Sequence, residues 1–575
     1  MRCLLFDDRF RGYQVGHLKR DMIAGITVGI VAIPLAMAFA IASGVKPEYG
    51  LYTTIIAGFL VAVFGGSRFQ IAGPTGAFIP VLLAIVLQYG YEDLLIAGFL
   101  AGILLIAMSV FRLGSIIKFM PRSVTIGFTS GIAVIIFTGQ IANFLGLEGV
   151  EKRQFFHENM MELFRHLPSI NGYSLLTAML GLLLILVVPK LFPRLPVLLI
   201  ALLIPTMVTL VFYPDKVDTV GSAFGGIPQS MPSFSFPEIT WDKVFQLWQP
   251  ALVIAALGGI ESLLSAVVAD GMTGKRHRSN RELFGQGLAN LITPLFGGIP
   301  ATGAIARTAT NIKSGGVSPL SGILHSVFVL IALLVFAPYA SYIPLASMAP
   351  ILMMVAWNMS EQRTFIRILG LRTGDSLVLL ITFVLTVFVN LTVAVEVGLL
   401  LAMVSFIKRM GGTMEVEKVL PQGHHQPVSS DPIHKGHNCP QLAIFNVDGP
   451  LFFGAADRFV EILTKTYKGS RVLLLRMGHV SVMDVTGEGY LASFVAEFQK
   501  KGGTVLLSGI REQPLQMIKK SGLYDKIGEK HIFDHTGPAI AYGLTLIDYT
   551  DCQRCPHDAF AECQSFKTGD VAVKA

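Results

Sequence analysis

Charged side chains are scarce in this sequence. They make up 14% of its 575 residues, where a soluble chain of ordinary composition carries about 25%. The deficit falls on residues 21–411, while 412–575 reads as an ordinary soluble sequence. Cysteine is also rare. Five residues are too few for a disulfide framework, and three of them (Cys552, Cys555, Cys563) crowd the C-terminal end. The start, Met1-Arg2-Cys3-Leu4-Leu5-Phe6-Asp7-Asp8, has acidic residues where a secretory signal needs an apolar core. The first spanning helix is therefore expected to act as its own insertion signal. The soluble part has no glycine-rich phosphate fingerprint, and the apolar part has no nucleophile beside a base and no metal-ligand cluster. No enzyme activity, resident cofactor or metal is expected. The net charge of +7 sits mainly in loops beside the apolar runs, which reads as membrane topology and not as a nucleic-acid surface.

What the chain has instead is long apolar runs. Hydrophobic residues make up 52% of it, with a mean hydropathy of +0.61, and most runs approach the roughly 20 residues that cross a bilayer as helix. Fourteen spans are expected: 22–44, 49–65, 72–90, 93–111, 122–145, 172–190, 196–213, 248–271, 283–296, 301–314, 319–338, 342–358, 373–390 and 392–408. With a cytoplasmic N-terminus, about eighteen basic residues fall inside and about six outside, as the positive-inside rule requires. Shifting by one helix would put the Lys275–Arg281 cluster outside. An even count returns the C-terminus to the cytoplasm. Seven spans on each side of the polar loop 214–247 is an odd number per half, so the halves form an inverted repeat.

Each half is broken at a similar place. The first break reads Phe64-Gly65-Gly66, then Pro74-Thr75-Gly76-Ala77; the second reads Phe296-Gly297-Gly298, then Pro300-Ala301-Thr302-Gly303-Ala304. Both fall in the third span of their half, where opposed helix starts would meet near the midplane. A helix beginning inside the bilayer leaves its first amides unpaired, and those amides with the helix dipole attract an anion. Thr75 and Thr302 stand beside these starts, as cap or as substrate contact, and Phe78 lies one turn in, as wall or as packing.

Two charges lie where charge is unfavourable. Glu261 is roughly midway along the eighth span and Arg307 about two turns into the tenth; an ionised residue at the bilayer centre costs at least about 2.5 kcal/mol. In one reading, Arg307 joins the two helix starts in an electropositive pocket and Glu261 carries a coupling proton. In the other, they form a structural ion pair between the spans. Gln140 and Asn143 are expected to be interhelical hydrogen-bond partners.

From about 440, short β runs alternate with helices. Leu442–Val447 and Leu451–Phe453 read as strands around the turn Asp448-Gly449-Pro450, followed by the strands Arg471–Arg476 and Thr504–Ser508. Helices are expected at Ala455–Tyr467, from Asp484 to about Lys500, and at Glu512–Ser521, covering one side of the sheet. Asp484-Val485-Thr486-Gly487 reads as a helix cap, or as a phosphorylation site at Thr486. The linker 412–439 carries His424, His425, His434, His437 and Cys439, and the tail Cys552-Gln553-Arg554-Cys555-Pro556-His557 and Cys563. The ordinary reading is a flexible, reduced segment; the other is a metal site joining linker and tail.

The stretch Asp21–Pro34, then Gly44–Tyr52, Ala72-Gly73-Pro74-Thr75, Gly127–Gly131, Glu282–Asn290 and Gly449–Ala456, resembles in order the sulfate permease (SulP) family of anion transporters with its C-terminal STAS domain. The resemblance covers about residues 20–548. It implies a fourteen-span fold with core and gate bundles, a homodimer, and substrate held between the starts of the third and tenth spans. The candidate contacts are then Thr75, Gly76, Ala77, Phe78, Thr302, Gly303, Ala304 and Arg307, with Glu261 at the family's acidic position. Sodium-coupled bicarbonate members carry a hydroxyl where this chain has Ile305, and many animal members a Ser where it has Ala306. The resemblance therefore implies proton coupling over sodium coupling, and its wording is similar to bacterial C4-dicarboxylate members.

The domains expected are 1–20, a cytoplasmic N-terminal segment; 21–411, the transporter; 412–439, a linker; 440–548, the STAS domain; and 549–575, a cysteine-containing tail. The expected role is secondary active transport of sulfate-class anions or C4-dicarboxylates in the inner (plasma) membrane. The alternatives are a bicarbonate or chloride exchanger, or a passive channel or sensor signalling through STAS. The expected partners are a small anion, a proton, lipid, a second copy and a regulatory protein on the STAS domain, with no nucleic acid.

Overall fold

The computed structural model describes residues 8–10, 13–115, 120–192, 195–419, 439–466, 469–557, 559–560 and 562–568. They fall into two compact units, Met1–Ala402 and Met403–Ala575.

Helices α1 (Val15–Ala42), α2 (Pro47–Phe64), α3 (Ile79–Tyr89), α4 (Tyr91–Val110), α5 (Arg122–Gly139), α6 (Gly172–Leu191) and α7 (Val197–Phe212) build the first half. The second half has α8 (Trp241–Thr273), α9 (Ser279–Ile292), α10 (Ile305–Lys313), α11 (Leu320–Ala340), α12 (Leu345–Met359), α13 (Gly374–Phe388) and α14 (Leu391–Gly412). Each of the fourteen apolar runs thus carries a helix. Eight of them, α1, α2, α4, α5 with its continuation to Leu145, α6, α8, α11 and α14, are long and apolar enough to cross a membrane, among the described residues.

The short ones are informative. α10 has nine residues and α3 eleven, so at about 1.5 Å per residue each covers roughly half of a 30 Å hydrocarbon core. Local signals set the ends. Pro47 opens α2 at a position that needs no amide. Thr240 caps α8 by accepting from the Lys243 amide, and Gly274 ends it in the left-handed region at φ 70°.

The helices sort into two bundles. α1, α2, α4, α8, α9 and α11 pack on one another and carry α3 and α10; α5, α6, α7, α12 and α13 pack on one another. α14 joins the second bundle, its Gly398 lying against Thr382 of α13 and Val124 of α5. The halves interleave, first four with first four and last three with last three, as an inverted repeat does. Small residues permit the closest crossings: a methyl on Gly102 of α4 would stand 2.4 Å from the Leu291 amide of α9. Two buried carboxylates tie the loops. Asp21 accepts from the Val317 amide at 2.6 Å and the Ser318 hydroxyl at 2.6 Å. Glu282 accepts from the Gly66 and Ser67 amides at 2.8 and 3.0 Å.

Gln140 and Asn143 differ from expectation. They bond each other at 3.3 Å across the bend after α5, because three residues of helical spacing brings them together sooner than any neighbouring helix can.

The second unit is a five-stranded sheet in the order β3 (Glu415–Val419), β4 (Leu442–Asp448), β5 (Val472–His479), β6 (Thr504–Ser508) and β7 (Ile532–Phe533). β3 runs antiparallel to β4 and the other pairs are parallel. The first residues of the stretch read as linker, 415–419, thus form an edge strand. Leu451–Phe453 is not a strand; Leu451 only bridges to Met483, since the Gly449-Pro450 turn aims the chain into helix α15 (Ala456–Thr466). Asp484 caps α16 (Val485–Lys500) by accepting from the Gly487 amide at 2.7 Å.

The expectation of helices on one side is overturned. Ala443, Phe445 and Val447 face a core with residues of α15, α16 and α17 (Glu512–Lys520), while Leu442 and Ile444 face a second core with Ala539, Leu544, Ala559, Phe560 and Phe566. β4 and β5 each open on four consecutive buried apolar residues, Leu442–Phe445 and Val472–Leu475, the pattern of strands buried on both faces. The described residues after 548 therefore belong to the folded unit. The linker histidines His424, His425, His434 and His437 lie outside the described residues.

Candidate functional site

The two interrupted helices meet backbone to backbone. After α2 the chain runs extended to Thr75, then turns through a tight helical turn, Gly76–Phe78, into α3. After α9 a tight helical turn, Thr293–Phe296, ends at Gly297 (φ 74°), and the chain then runs extended to Ala304 and enters α10. The extended pieces pair as antiparallel strands β1 (Ala72–Gly73) and β2 (Thr302–Gly303), with Ala72 opposite Gly303 and Gly73 opposite Thr302. The Ala304 amide adds a bond to the Ile71 carbonyl at 2.8 Å. Both helices thus start at the same depth. On the α3 side the turn receives the Phe78 and Ile79 amides on the carbonyls of Thr75 and Gly76, so the amides left without a carbonyl one turn back are those of Gly76 and Ala77 there and of Ile305 and Ala306 in α10.

The pairing also sets the register of the repeat. Thr302 lies within the strand pair, opposite Gly73, whereas Thr75 lies beyond it at a helix start, so the two threonines are not equivalent. Matching the two breaks by their Gly-Gly and Pro landmarks misses this, because the spacing inside the copies differs. Chemistry follows register. Thr302 is fully buried; its hydroxyl donates to the Gly258 carbonyl at 3.0 Å and lies 2.8 Å from Ser262 Oγ. It braces α8 under the strand pair and leaves no hydroxyl for a ligand. The Gly303 amide donates to Ser262 Oγ at 3.0 Å, and Ala304 has given its amide to Ile71. Thr75, at a helix start, donates its hydroxyl to Glu261 Oε2 at 2.9 Å.

Arg307 sits at the junction. Its Nη2 donates to the Pro74 carbonyl, and Nη1, fully buried, has no hydrogen-bond partner among the described residues. Gly73, at φ 155°, makes room: a methyl there would stand 2.5 Å from Nη1. Glu261 and Arg307 do not form a direct ion pair; Thr75 and Pro74, adjacent in sequence, stand between them. The reading of a structural salt bridge between the spans therefore lacks its contact. Gly76 faces the second bundle, where a methyl would meet Ile136 of α5 and Met359 of α12 at 3.4 Å each. Ala77 and Phe78 are buried, and the Phe78 ring lies against Gly258 of α8. A cavity of about 520 Å³ begins at Ile79 and opens toward the other end of α3, without Thr75, Glu261 or Arg307 in its walls.

Several positioning residues were not singled out from the sequence. Gln70 donates to the Ser262 carbonyl at 3.0 Å and lies 3.0 Å from Ser265 Oγ; Thr308 accepts from the Ile71 amide at 3.0 Å. Asn290 grips both the amide and the carbonyl of Ala301 at 2.8 Å. The fully buried His325 has both ring nitrogens without a hydrogen-bond partner among the described residues. A signal existed for α8: Gly258, Ser262 and Ser265, spaced four and three apart, mark one small, polar face in an apolar helix.

Comparison with known proteins accords with this architecture. A family profile described as Sulfate permease family matches residues 18–382, and a STAS domain profile matches 433–539. The putative sulfate transporter YvdB of Bacillus subtilis is 52% identical over 531 residues, 92% of this chain and 98% of that one. The bicarbonate transporter BicA of Picosynechococcus is 30% identical over 529 residues, 89% of this chain and 92% of its own. The solved transmembrane domain of a cyanobacterial BicA aligns with a TM-score of 0.60 at 30% identity, over 67% of this chain and 97% of that one. The structure of SLC26A9 aligns with a TM-score of 0.83 over 95% of this chain and 93% of its own, a likeness of fold at 18% identity. The chain is therefore a multi-pass membrane protein belonging to the sulfate permease family, with a STAS domain at its C-terminal end.

Proposed function

We propose that this protein is a secondary active anion transporter that alternates access by moving the bundle carrying α3 and α10 against the other. The observation carrying the proposal is the guanidinium of Arg307, buried where two helix starts meet and holding one nitrogen without a hydrogen-bond partner among the described residues. A small anion supplies that partner and accepts from the first-turn amides, so one ligand satisfies both the charge and the open donors. A methyl on Gly76 would touch Ile136 and Met359, so the same helix start lies against the second bundle, where relative motion opens it to alternate sides.

Glu261 acts as the proton carrier. When ionised it repels an anion held at Arg307; when protonated it does not, so proton and anion enter together. Thr75 links the carboxylate to the helix start, and Ile305 offers no hydroxyl to a sodium ion. The substrate belongs to the sulfate, bicarbonate or C4-dicarboxylate class; YvdB and BicA carry the first two in their names. The protein works as a homodimer in the inner (plasma) membrane with both termini cytoplasmic, and its STAS domain takes a regulatory protein.

Uptake of labelled sulfate, bicarbonate and succinate into proteoliposomes under an imposed proton gradient tests this. One of the three is expected to accumulate above its equilibrium level, and a protonophore to abolish the accumulation. Flux that never exceeds equilibrium identifies a channel and ends the proposal. Accumulation that follows sodium and ignores pH removes the coupling role of Glu261.

A further inference from the structure

Four of the chain's five cysteines come together in the C-terminal unit. Cys439 precedes β4, Cys552 and Cys555 stand at the end of the short helix Tyr549–Gln553, and Cys563 opens the helix Cys563–Thr568. All four line one cavity of about 230 Å³, with His557 and Arg471 also in its wall. Three of the sulfurs accept N–H donors: the Leu442 amide reaches Cys439 Sγ at 3.4 Å, the Phe560 amide reaches Cys563 Sγ at 3.4 Å, and Gln441 Nε2 reaches Cys552 Sγ at 3.7 Å. Donors of this kind stabilise negative sulfur and orient it for a metal.

The surrounding structure needs a staple. The two helices have five and six residues, far below the roughly 12 that hold a helix in isolation. They are attached to the sheet through a small apolar face centred on Ala559, Phe560 and Phe566. A segment this small is commonly held by a metal or a disulfide, and all four of these cysteines are free.

We propose that Cys439, Cys552, Cys555 and Cys563 form a four-thiolate site for a divalent metal ion of the zinc class, which pins the C-terminal tail to the STAS sheet. The Cys-x-x-Cys pair supplies two ligands from one turn, and the other two come from separate segments, the usual construction of a structural zinc site. Binding exchanges four S–H bonds for four metal–sulfur bonds and releases four protons. The site is left at net −2 beside Arg471, with no change of oxidation state. Among the described residues no three ligating side chains stand at coordination spacing, so binding requires the four sulfurs, which line one cavity, to draw together around the ion. The site is separate from anion transport and does not rest on that reading.

The test uses the full-length protein, purified in detergent under reducing conditions, stripped with a chelator and titrated with zinc or cobalt(II). About one ion per chain is expected to bind, and cobalt should give the intense visible and thiolate charge-transfer bands of a tetrahedral sulfur site. The Cys552→Ser/Cys555→Ser double variant should lose at least tenfold in zinc affinity, and Cys3→Ser should lose nothing. Zinc should also slow proteolysis of the wild-type tail, a readout that does not depend on how the variant folds. Three results would overturn the proposal: cobalt spectra without thiolate bands, equal affinity in the double variant, or a brown chromophore with acid-labile sulfide, which marks an iron–sulfur cluster.

Discussion

The two breaks share a backbone and differ in chemistry. Each brings an extended strand into a helix that starts within the membrane, and the strands pair with each other across the repeat. The first break leaves a hydroxyl, Thr75, at its helix start, bonded to Glu261. The second turns its hydroxyl, Thr302, inward to brace α8, and supplies the cation, Arg307, one turn further on. Both charged groups come from the second half. Backbone symmetry builds the cradle, and side-chain asymmetry gives it a cationic and an acidic side.

Substitutions can pull these contributions apart. The largest expected effect is from Glu261→Gln, which should abolish pH-driven accumulation in proteoliposomes while protein remains in the membrane and counterflow of bound anion survives. Unchanged proton-driven uptake would defeat the coupling role. Next comes Arg307→Ala, which removes a buried, hydrogen-bonded charge; calorimetry should show anion affinity falling by about 2–5 kcal/mol, and equal affinity would take this residue out of the site. Gly303→Ala drives a methyl to 1.7 Å from Gln70 Nε2, breaking a buried amide's bonds. It should lower stability in a detergent unfolding assay by about 1–3 kcal/mol, whereas Gly73→Ala should instead displace Arg307 and weaken binding. The smallest pair sharpens the comparison most. Thr302→Val should lower stability by about 1 kcal/mol and leave the pH profile of transport in place; Thr75→Val should shift that profile and leave stability nearly unchanged. Reversed results would mean the two hydroxyls have exchanged roles.

Much of the membrane unit is legible along the chain. Apolar runs near bilayer length carry helices, because a buried span must satisfy its own amides, and Gly and Pro interrupt them where two helices begin late. Glu261 and Arg307 stand out because charge is so unfavourable in their surroundings. The contacts are not legible. Gln70, Asn290 and Thr308 are single polar residues that reach partners in other segments, 11 to 237 positions away, and Thr302 beside Thr75 looks equivalent until strand register separates them. In the second unit β4, β5 and β6 were readable, whereas β3 and β7 were not and Leu451–Phe453 was read as a strand that does not form. The four consecutive apolar residues that open β4 and β5 already required cover on two faces, and the second layer comes from the helix Thr536–Leu544 together with a tail too short and too polar to announce itself.

What the amino-acid order determined alone was the solvent each stretch prefers, the places where helices must break, and the presence of two charges in an apolar setting. These depend on transfer free energies and local geometry, which neighbouring residues suffice to set. Which hydroxyl meets the carboxylate, which face of the guanidinium is left open, and whether scattered cysteines share one cavity were decided only by the fold. Each of those depends on a register between distant segments, and that register follows from packing and pairing across the whole molecule.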